Sequence, residues 1–486
     1  MASILLIVPP YLSHYKQPPL GAAYLGSFLK RRGHSVSIID MDPLGLAYSD
    51  IKGLVENKMP DIIGISAMTM QIKGALIIAD LLKELNRSIP VIIGGVHASA
   101  LPEEVLRTRS VDFIVIGEGE ITFSELVDNL SSSKSAFEEI KGIGFRENNE
   151  IKITIPRPLI SDLNSLPFPL WEELPVEKYS IVLLGGWEKL QVFPIVGTRG
   201  CPNQCIFCAS NSVFRRVYRT RSAKNIFEEI TFLMKEFNAK QFDFIDDTLT
   251  INRKGVIELC DMIIKAGLDI RWGCNARVNV VDEEMLFNMS KAGCISIDFG
   301  VESGDPKILK CLKKGINLDQ IKKAHHLAKK AGLIVTSFFM VGNPGEDWLS
   351  IERTANLPGE IETDYPACAI TTPFPGTEIY EIAKKNNWLK VMDWDRYIAT
   401  PHLMHDYKPV MVNGVLSQEE ILKAYYYINA KFAAIKLRTR YGKFFFLNLR
   451  FYKNEGVGRI RKIRLKNFIK LVWRLFKNGI YRKGRI

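Results

Sequence analysis

Cys201, Cys205 and Cys208 stand within eight positions of one another in the segment GTRGCPNQCIFCAS, although the 486-residue chain holds only eight cysteines and none before residue 201. The thiolate is the nucleophilic and metal-ligating form of cysteine, so three in so short a stretch point to a metal centre or a reactive thiol. The spacing is Cys-x3-Cys-x2-Cys, and no fourth cysteine or histidine follows nearby. Three thiolates leave a tetrahedral zinc site one ligand short, and a zinc knuckle completed by a distant ligand is the competing reading. Iron–sulfur clusters are held by cysteine thiolates, and a cluster with three protein ligands keeps one iron open to a substrate or cofactor. Two acids, Asp246 and Asp247, lie side by side in FIDDTL, and Glu302 lies in FGVESGD. A buried acidic pair serves either a ligand or the fold. Cys260, Cys274, Cys294, Cys311 and Cys368 form no second motif and read for the most part as buried small hydrophobes.

The elements that must position these residues follow from hydrophobic periodicity. FPIVG, KQFDFID, DIRWGCNA, CISIDFG, LIVTSFFM and CAITTP alternate with helical patterns between residues 196 and 400. Six such βα units predict a full or partial barrel, whose chemistry belongs at the C-terminal strand ends, where the cysteine segment falls. Residues 1–130 carry a second βα series, ILLIV, SVSIID, DIIGIS, PVIIGG and DFIVIG. Continuous apolar strands of this kind are buried on both faces, so a Rossmann-like parallel, doubly wound sheet is expected. Residues 131–195 open on SSSKS and contain PRPLISDLNSLPFPLWEELP, which predicts an extended, proline-rich linker. The fold class is α/β, with a helical region over 401–486.

The cysteine spacing and its place after a strand resemble the radical S-adenosylmethionine (SAM) superfamily. The resemblance implies a 4Fe-4S cluster on Cys201, Cys205 and Cys208, with SAM chelated to the open iron and cleaved reductively to a 5′-deoxyadenosyl radical. Phe207 matches the aromatic that precedes the last cysteine in that superfamily. Asp246 and Asp247 stand where the superfamily's SAM-contacting GGE-type segment falls, Glu302 matches its polar ribose or methionine contact, and VGNPGE and TPFPGTE resemble its fifth- and sixth-strand segments.

The segments ILLIVPP, PPLGAAYLGSFLKRRGHSVSIID, DIIGISAMT, GGVHAS and IGEGE resemble, in that order, the cobalamin-binding domain of cobalamin-dependent radical SAM enzymes. With the barrel and the LPFPLWEELP connector, the likeness covers roughly the first 400 residues. It implies that Gly94, Gly95, Gly117 and Glu118 border cobalamin, the glycines letting backbone approach a large planar ligand, and that Ser66 bonds its tail. The Asp-x-His-x-x-Gly signature of an axial histidine is missing. PPYLSHYKQ follows the first strand, and His14 lacks the motif's neighbours, so cobalamin is expected without a protein histidine on cobalt. His97 lies at a suitable strand end, where either a ligand role or a structural hydrogen bond remains open.

Bulk properties bound the function. The net charge of +12 belongs to the tail, since residues 431–486 hold 18 lysines and arginines against one acid, Glu455, while the other 430 residues hold 47 against 52 acids. No apolar run reaches the roughly 18 residues a membrane span needs, and no secretory signal pattern opens the chain, so a cytoplasmic enzyme is expected. In LKNFIKLVWRLFKNGI, Leu465, Phe468, Ile469, Val472, Trp473 and Phe476 share one helical face, and Lys466, Lys470, Arg474 and Lys477 the other. That pattern suits an anionic membrane surface, giving a peripheral inner-face placement through residues 459–486 and favouring a lipid or tetrapyrrole substrate. A helix docked on the barrel is the alternative. The expected function is cobalamin-dependent methylation of an unactivated carbon, with oxidative cyclisation as the alternative and flavodoxin or ferredoxin as electron donor. A tRNA methylthiotransferase needs a second N-terminal three-cysteine cluster that the first 200 residues lack, so nucleic acid is not an expected partner. A non-catalytic cobalamin-binding protein would leave the cysteine loop without a task.

Overall fold

The computed structural model describes residues 1–11, 16–130, 136–179 and 191–442. His14, the SSSKS start of the connector and the basic segment 459–486 lie outside the described residues. Seven strands form the first sheet: β1 (Ser3–Val8), β2 (Ser35–Asp40), β3 (Ile62–Ser66), β4 (Val91–Gly94), β5 (Phe113–Val115), β6 (Ile143–Glu147) and β7 (Glu150–Ile153), in the order β2-β1-β3-β4-β5-β6-β7. The first five are parallel neighbours, and β6 and β7 add an antiparallel hairpin. The order reverses between β1 and β3, the switch point outside whose C-terminal ends doubly wound sheets bind ligands. In β1, Ile4 and Leu6 enter one core while Leu5 and Ile7 enter the other, so both faces are covered, as an unbroken apolar strand requires.

The hairpin sits inside the stretch read as a linker. Glu147, Asn148, Asn149 and Glu150 make a polar turn, and both asparagines take positive φ (51° and 68°), a conformation asparagine tolerates better than most residues. The proline-rich part follows the expectation more closely, with only short 3-10 turns between Leu163 and Lys178. It is nevertheless packed, since Leu170, Trp171 and Leu174 join the core between the sheets.

The second sheet holds six parallel strands, β8 (Phe193–Ile195), β11 (Gln241–Phe244), β12 (Arg271–Ala276), β13 (Cys294–Glu302), β14 (Ile334–Val341) and β15 (Tyr365–Ile370), in the order β15-β14-β13-β12-β11-β8. It is a partial barrel. Its two edges are the strands that carry proline, Pro194 in β8 and Pro366 in β15, where a missing N–H breaks no inner ladder. A two-stranded ribbon, β9 (Thr198–Arg199) with β10 (Arg219–Thr220), stands on the C-terminal side of β8. The helix Gln418–Tyr441, capped by Ser417, packs Ile421, Ala424, Ile428 and Phe432 into the barrel's core. Among the described residues no helix is long and apolar enough to cross a membrane.

Candidate active site

The cysteine segment is the loop that joins the two strands of the ribbon. At Gly200 the chain leaves β9 with φ +83°, and a Cβ there would stand 2.3 Å from the Val217 carbonyl, so only glycine fits. The loop is tied from beneath, with Ile206 N–H donating to the Leu312 carbonyl (3.1 Å) and Ile379 N–H to the Ile206 carbonyl (3.0 Å). Asn203 Nδ2 donates to Cys201 Sγ (3.0 Å) and Arg277 Nη1 to Cys205 Sγ (3.5 Å). Burial, Asp247 and the neighbouring thiols push the Cys208 thiol up to about 11. Among the described residues no three His, Cys, Asp or Glu side chains close around a single ion. A four-iron cluster asks for something else, namely three thiols of one loop each facing a different iron, and the donor set fits it.

Phe207 and Glu302 lie together on the barrel side of the loop, joined by a residue the sequence reading passed over. Lys314 Nζ donates to Glu302 Oε1 (2.6 Å) and stands 5.8 Å from the centre of the Phe207 ring. Glu302 has φ +68° at a register shift near the end of β13, a strained conformation for a non-glycine residue that its surroundings must hold in place. Arg277 was passed over too. Its second guanidinium nitrogen donates to the Lys314 carbonyl, so one side chain braces both Lys314 and the cysteine loop.

On the other side of the loop a cavity of about 340 Å³ opens between the two sheets. Its N-terminal wall includes Ser66, Gly94, Gly95, Gly117 and Glu118, and its barrel wall Thr198, Arg199, Gly200, Asp246 and Asp247. Five predicted residues from three strand ends of the first sheet thus face two from the second, across one space. Phe207 and Glu302 are not among its lining residues. A Cβ on Gly94 would come no nearer than 3.7 Å to any neighbour and one on Gly117 would meet nothing, so at both positions the missing side chain leaves room on the cavity side. Gly95 has a different reason, since its Cβ would stand 2.5 Å from the Ala67 carbonyl at φ +104°. Ser99 pins the two turns, accepting from Gly117 N–H (2.9 Å) and donating to the Gly95 carbonyl (2.8 Å). The glycines and the surrounding Leu6, Leu25, Phe123, Val213 and Phe214 suit a large, mostly apolar ligand.

Asp246 is 2% exposed, accepts from Gly197 N–H (3.2 Å) and has the Thr198 hydroxyl and N–H beside it, while among the described residues its Oδ1 completes no well-formed hydrogen bond. Burial pushes this carboxyl up to about 6. A buried acceptor with lone pairs to spare on a cavity wall is a place for a ligand's donor. Asp247 accepts from Ser210 Oγ and is raised by burial as well. The Glu118 carboxylate is engaged within the protein, by Arg199 and Arg219. His97 departs from both readings. It is fully buried, among the described residues neither ring nitrogen is hydrogen-bonded although Glu104 Oε1 stands 3.8 Å from Nε2, its ring meets Trp394 edge-on (5.0 Å), and burial lowers it to about 4, which favours the neutral form. Of the remaining cysteines, Cys260, Cys274, Cys294 and Cys368 are buried and Cys311 is exposed.

A cysteine loop at the mouth of a partial barrel, whose Gly200, Val213 and Phe214 face glycine-lined strand ends across a cavity, fits an enzyme with two cofactors. Residues 13–127 match the B12 binding domain family and residues 195–357 the Radical SAM superfamily. An uncharacterised methyltransferase of Pyrococcus horikoshii is 36% identical over 408 residues, 82% of this chain and 87% of that protein. The anaerobic magnesium-protoporphyrin IX monomethyl ester cyclase of Rubrivivax gelatinosus is 28% identical over 480 residues, 96% of this chain and 81% of the cyclase. The radical SAM methyltransferase TsrM of Kitasatospora setae, solved with cobalamin and a 4Fe-4S cluster, shares the fold with a TM-score of 0.68 at 16% identity over 89% of each chain. The chain belongs to the cobalamin-dependent radical SAM methyltransferase family, and its cofactors are a 4Fe-4S cluster, SAM and cobalamin.

Proposed function

We propose that the protein methylates an unactivated carbon of a lipophilic substrate. The observation that carries this reading is a cavity whose opposite walls come from the strand ends of the two domains. The bound cofactors supply a SAM-derived radical and a methyl carrier, and the chain's own residues orient and shelter them. Gly94 and Gly117 admit a planar ligand to the backbone, Asp246 Oδ1 accepts from a ligand donor, and Leu25, Val213 and Phe214 exclude water. The lipophilic substrate class rests on the cyclase relative, which is named for a tetrapyrrole. We assign the reducing electron to a flavodoxin or ferredoxin, and the basic, amphipathic sequence of residues 459–486 to an anionic membrane surface.

Reconstituted protein incubated without oxygen with a reductant, methyl-deuterated SAM and a lipid extract tests the reading. The expected product is a lipid carrying the labelled methyl group, formed together with 5′-deoxyadenosine, and absent with Cys201→Ala, Cys205→Ala or Cys208→Ala. Labelled product from the triple variant would sink it. Oxidative cyclisation is the second reading, favoured by the cyclase's match to 96% of this chain. It would give 5′-deoxyadenosine and a product that has lost hydrogen without gaining the label.

A further inference from the structure

The loop that carries the cysteines and the turn that borders the cobalamin side of the cavity are held by one carboxylate. Glu118 leaves β5 on the Gly117-Glu118-Gly119 turn that lines the cavity, and its side chain is 5% exposed. Its Oε1 receives Arg199 Nη1 (2.8 Å) and its Oε2 receives Arg219 Nη1 (2.7 Å). Arg199 and Arg219 are directly paired across the ribbon of β9 and β10, one on the strand entering the cysteine loop and the other on the strand that follows it. Two cations opposite each other on a ribbon repel, more so when buried, and both are at most 10% exposed. Glu118 is the carboxylate they share. Arg199 has a second acid in Glu120 (2.6 Å), whereas among the described residues Arg219 has besides Glu118 the Ile160 carbonyl (2.7 Å) and the face of the Phe214 ring (5.6 Å), and its Nε and Nη2 have no hydrogen-bond partner. Ile160 N–H completes the Glu118 contacts (2.9 Å).

We propose that Glu118 is a positioning residue that couples the cobalamin pocket to the cluster loop, so that filling either site favours filling the other. A ligand seated on the Gly117 turn fixes the carboxylate that aligns both strands of the ribbon. A cluster that orders the loop fixes the two guanidiniums that hold the turn. Coupling of this kind is reciprocal and typically amounts to about 5- to 150-fold in affinity. Removing Glu118 leaves two opposed, buried cations, one of them with no other acid, and severs the link from both directions.

The test is an anaerobic titration of hydroxocobalamin into the full chain, with and without a reconstituted cluster, without substrate. It therefore stands apart from the methylation assay, and an enzyme that proves to catalyse cyclisation leaves it intact. In the wild type cobalamin should bind at least about 5-fold more tightly when the cluster is present. In Glu118→Gln the ratio should fall to near one. Where Glu118→Gln yields too little folded protein, Arg219→Lys keeps the charge but gives up the reach to Glu118 and the Ile160 carbonyl together, and the ratio should fall in the same sense. A purely structural Glu118 would weaken cobalamin equally in both forms and leave the ratio unchanged. That result, or a wild type with equal affinities in both forms, overturns the proposal.

Discussion

At the residue scale, the barrel carries acids whose protonation its interior controls. Asp298 on β13 faces Asp243 of β11, with Cys274 and Thr336 beside it, and burial, then the Asp243 charge, raises its carboxyl from 3.8 to about 8. Asp243 is raised by burial to about 6. Between those limits the folded protein keeps a proton that the unfolded chain releases. The stability linked to Asp298 is therefore present below about pH 4 and lost as pH rises through about 8. Asp298→Asn removes this dependence. Unfolding free energies from urea titrations should fall further between about pH 5 and pH 8 in the wild type than in the variant, by an amount on the order of 1–3 kcal/mol. Parallel curves would show that Asp298 is ionised in the fold. Arg277, a cation held beside the Cys205 thiol, and Lys314, paired with Glu302, were not distinguishable in sequence from the chain's many other basic residues.

At the element scale, the turns after β4 and β5 build the cavity wall. The turn after β4 depends on Gly95, whose backbone takes φ +104° within contact distance of Ala67. Gly95→Ala combines an unfavourable φ with a backbone clash, and should cost about 1–3 kcal/mol in denaturant unfolding while weakening cobalamin binding. Gly117→Ala supplies the comparison, since its φ of +81° is strained but nothing lies within 4 Å of the added Cβ. Its stability loss should be smaller, and its loss of cobalamin affinity, read in an absorbance titration, should exceed what stability explains. The opposite ranking would show that the Gly117 turn does not face the ligand.

At the scale of the whole molecule the two sheets share their packing. One core runs from Ile4 and Leu6 of the first sheet through Trp171 to Phe193, Phe242 and the barrel helices. The other brings Tyr380, Trp394, Tyr397 and Val410 from beyond the barrel onto Leu5 and Ile7. Trp394 is one of the joints, donating from Nε1 to Glu104 (2.6 Å) and meeting Tyr397 at 4.6 Å as well as His97. Trp394→Ala should cost about 3–5 kcal/mol and separate the unfolding of the first sheet from that of the barrel. A single transition at the wild-type midpoint in calorimetry would show that this contact does not unite them.

The sequence by itself determined most of the strands and turns that rest on neighbours in the chain. Cluster spacing in Cys201, Cys205 and Cys208, unbroken apolar runs in the strands, and glycines at strand ends are local signals, because a loop, a strand and a turn each answer to adjacent residues. The axial-histidine reading turned on His14, outside the described residues, and the extended linker was misread where Asn148 and Asn149 close a hairpin that gains stability only by pairing with β5. Tertiary structure alone decided the partners. Glu118 lies 81 residues from Arg199 and 101 from Arg219, and Lys314 reaches Glu302 and Phe207 from a different loop. Such pairs leave no periodicity in the chain, since a buried charge takes whichever opposite charge the packed elements bring within reach.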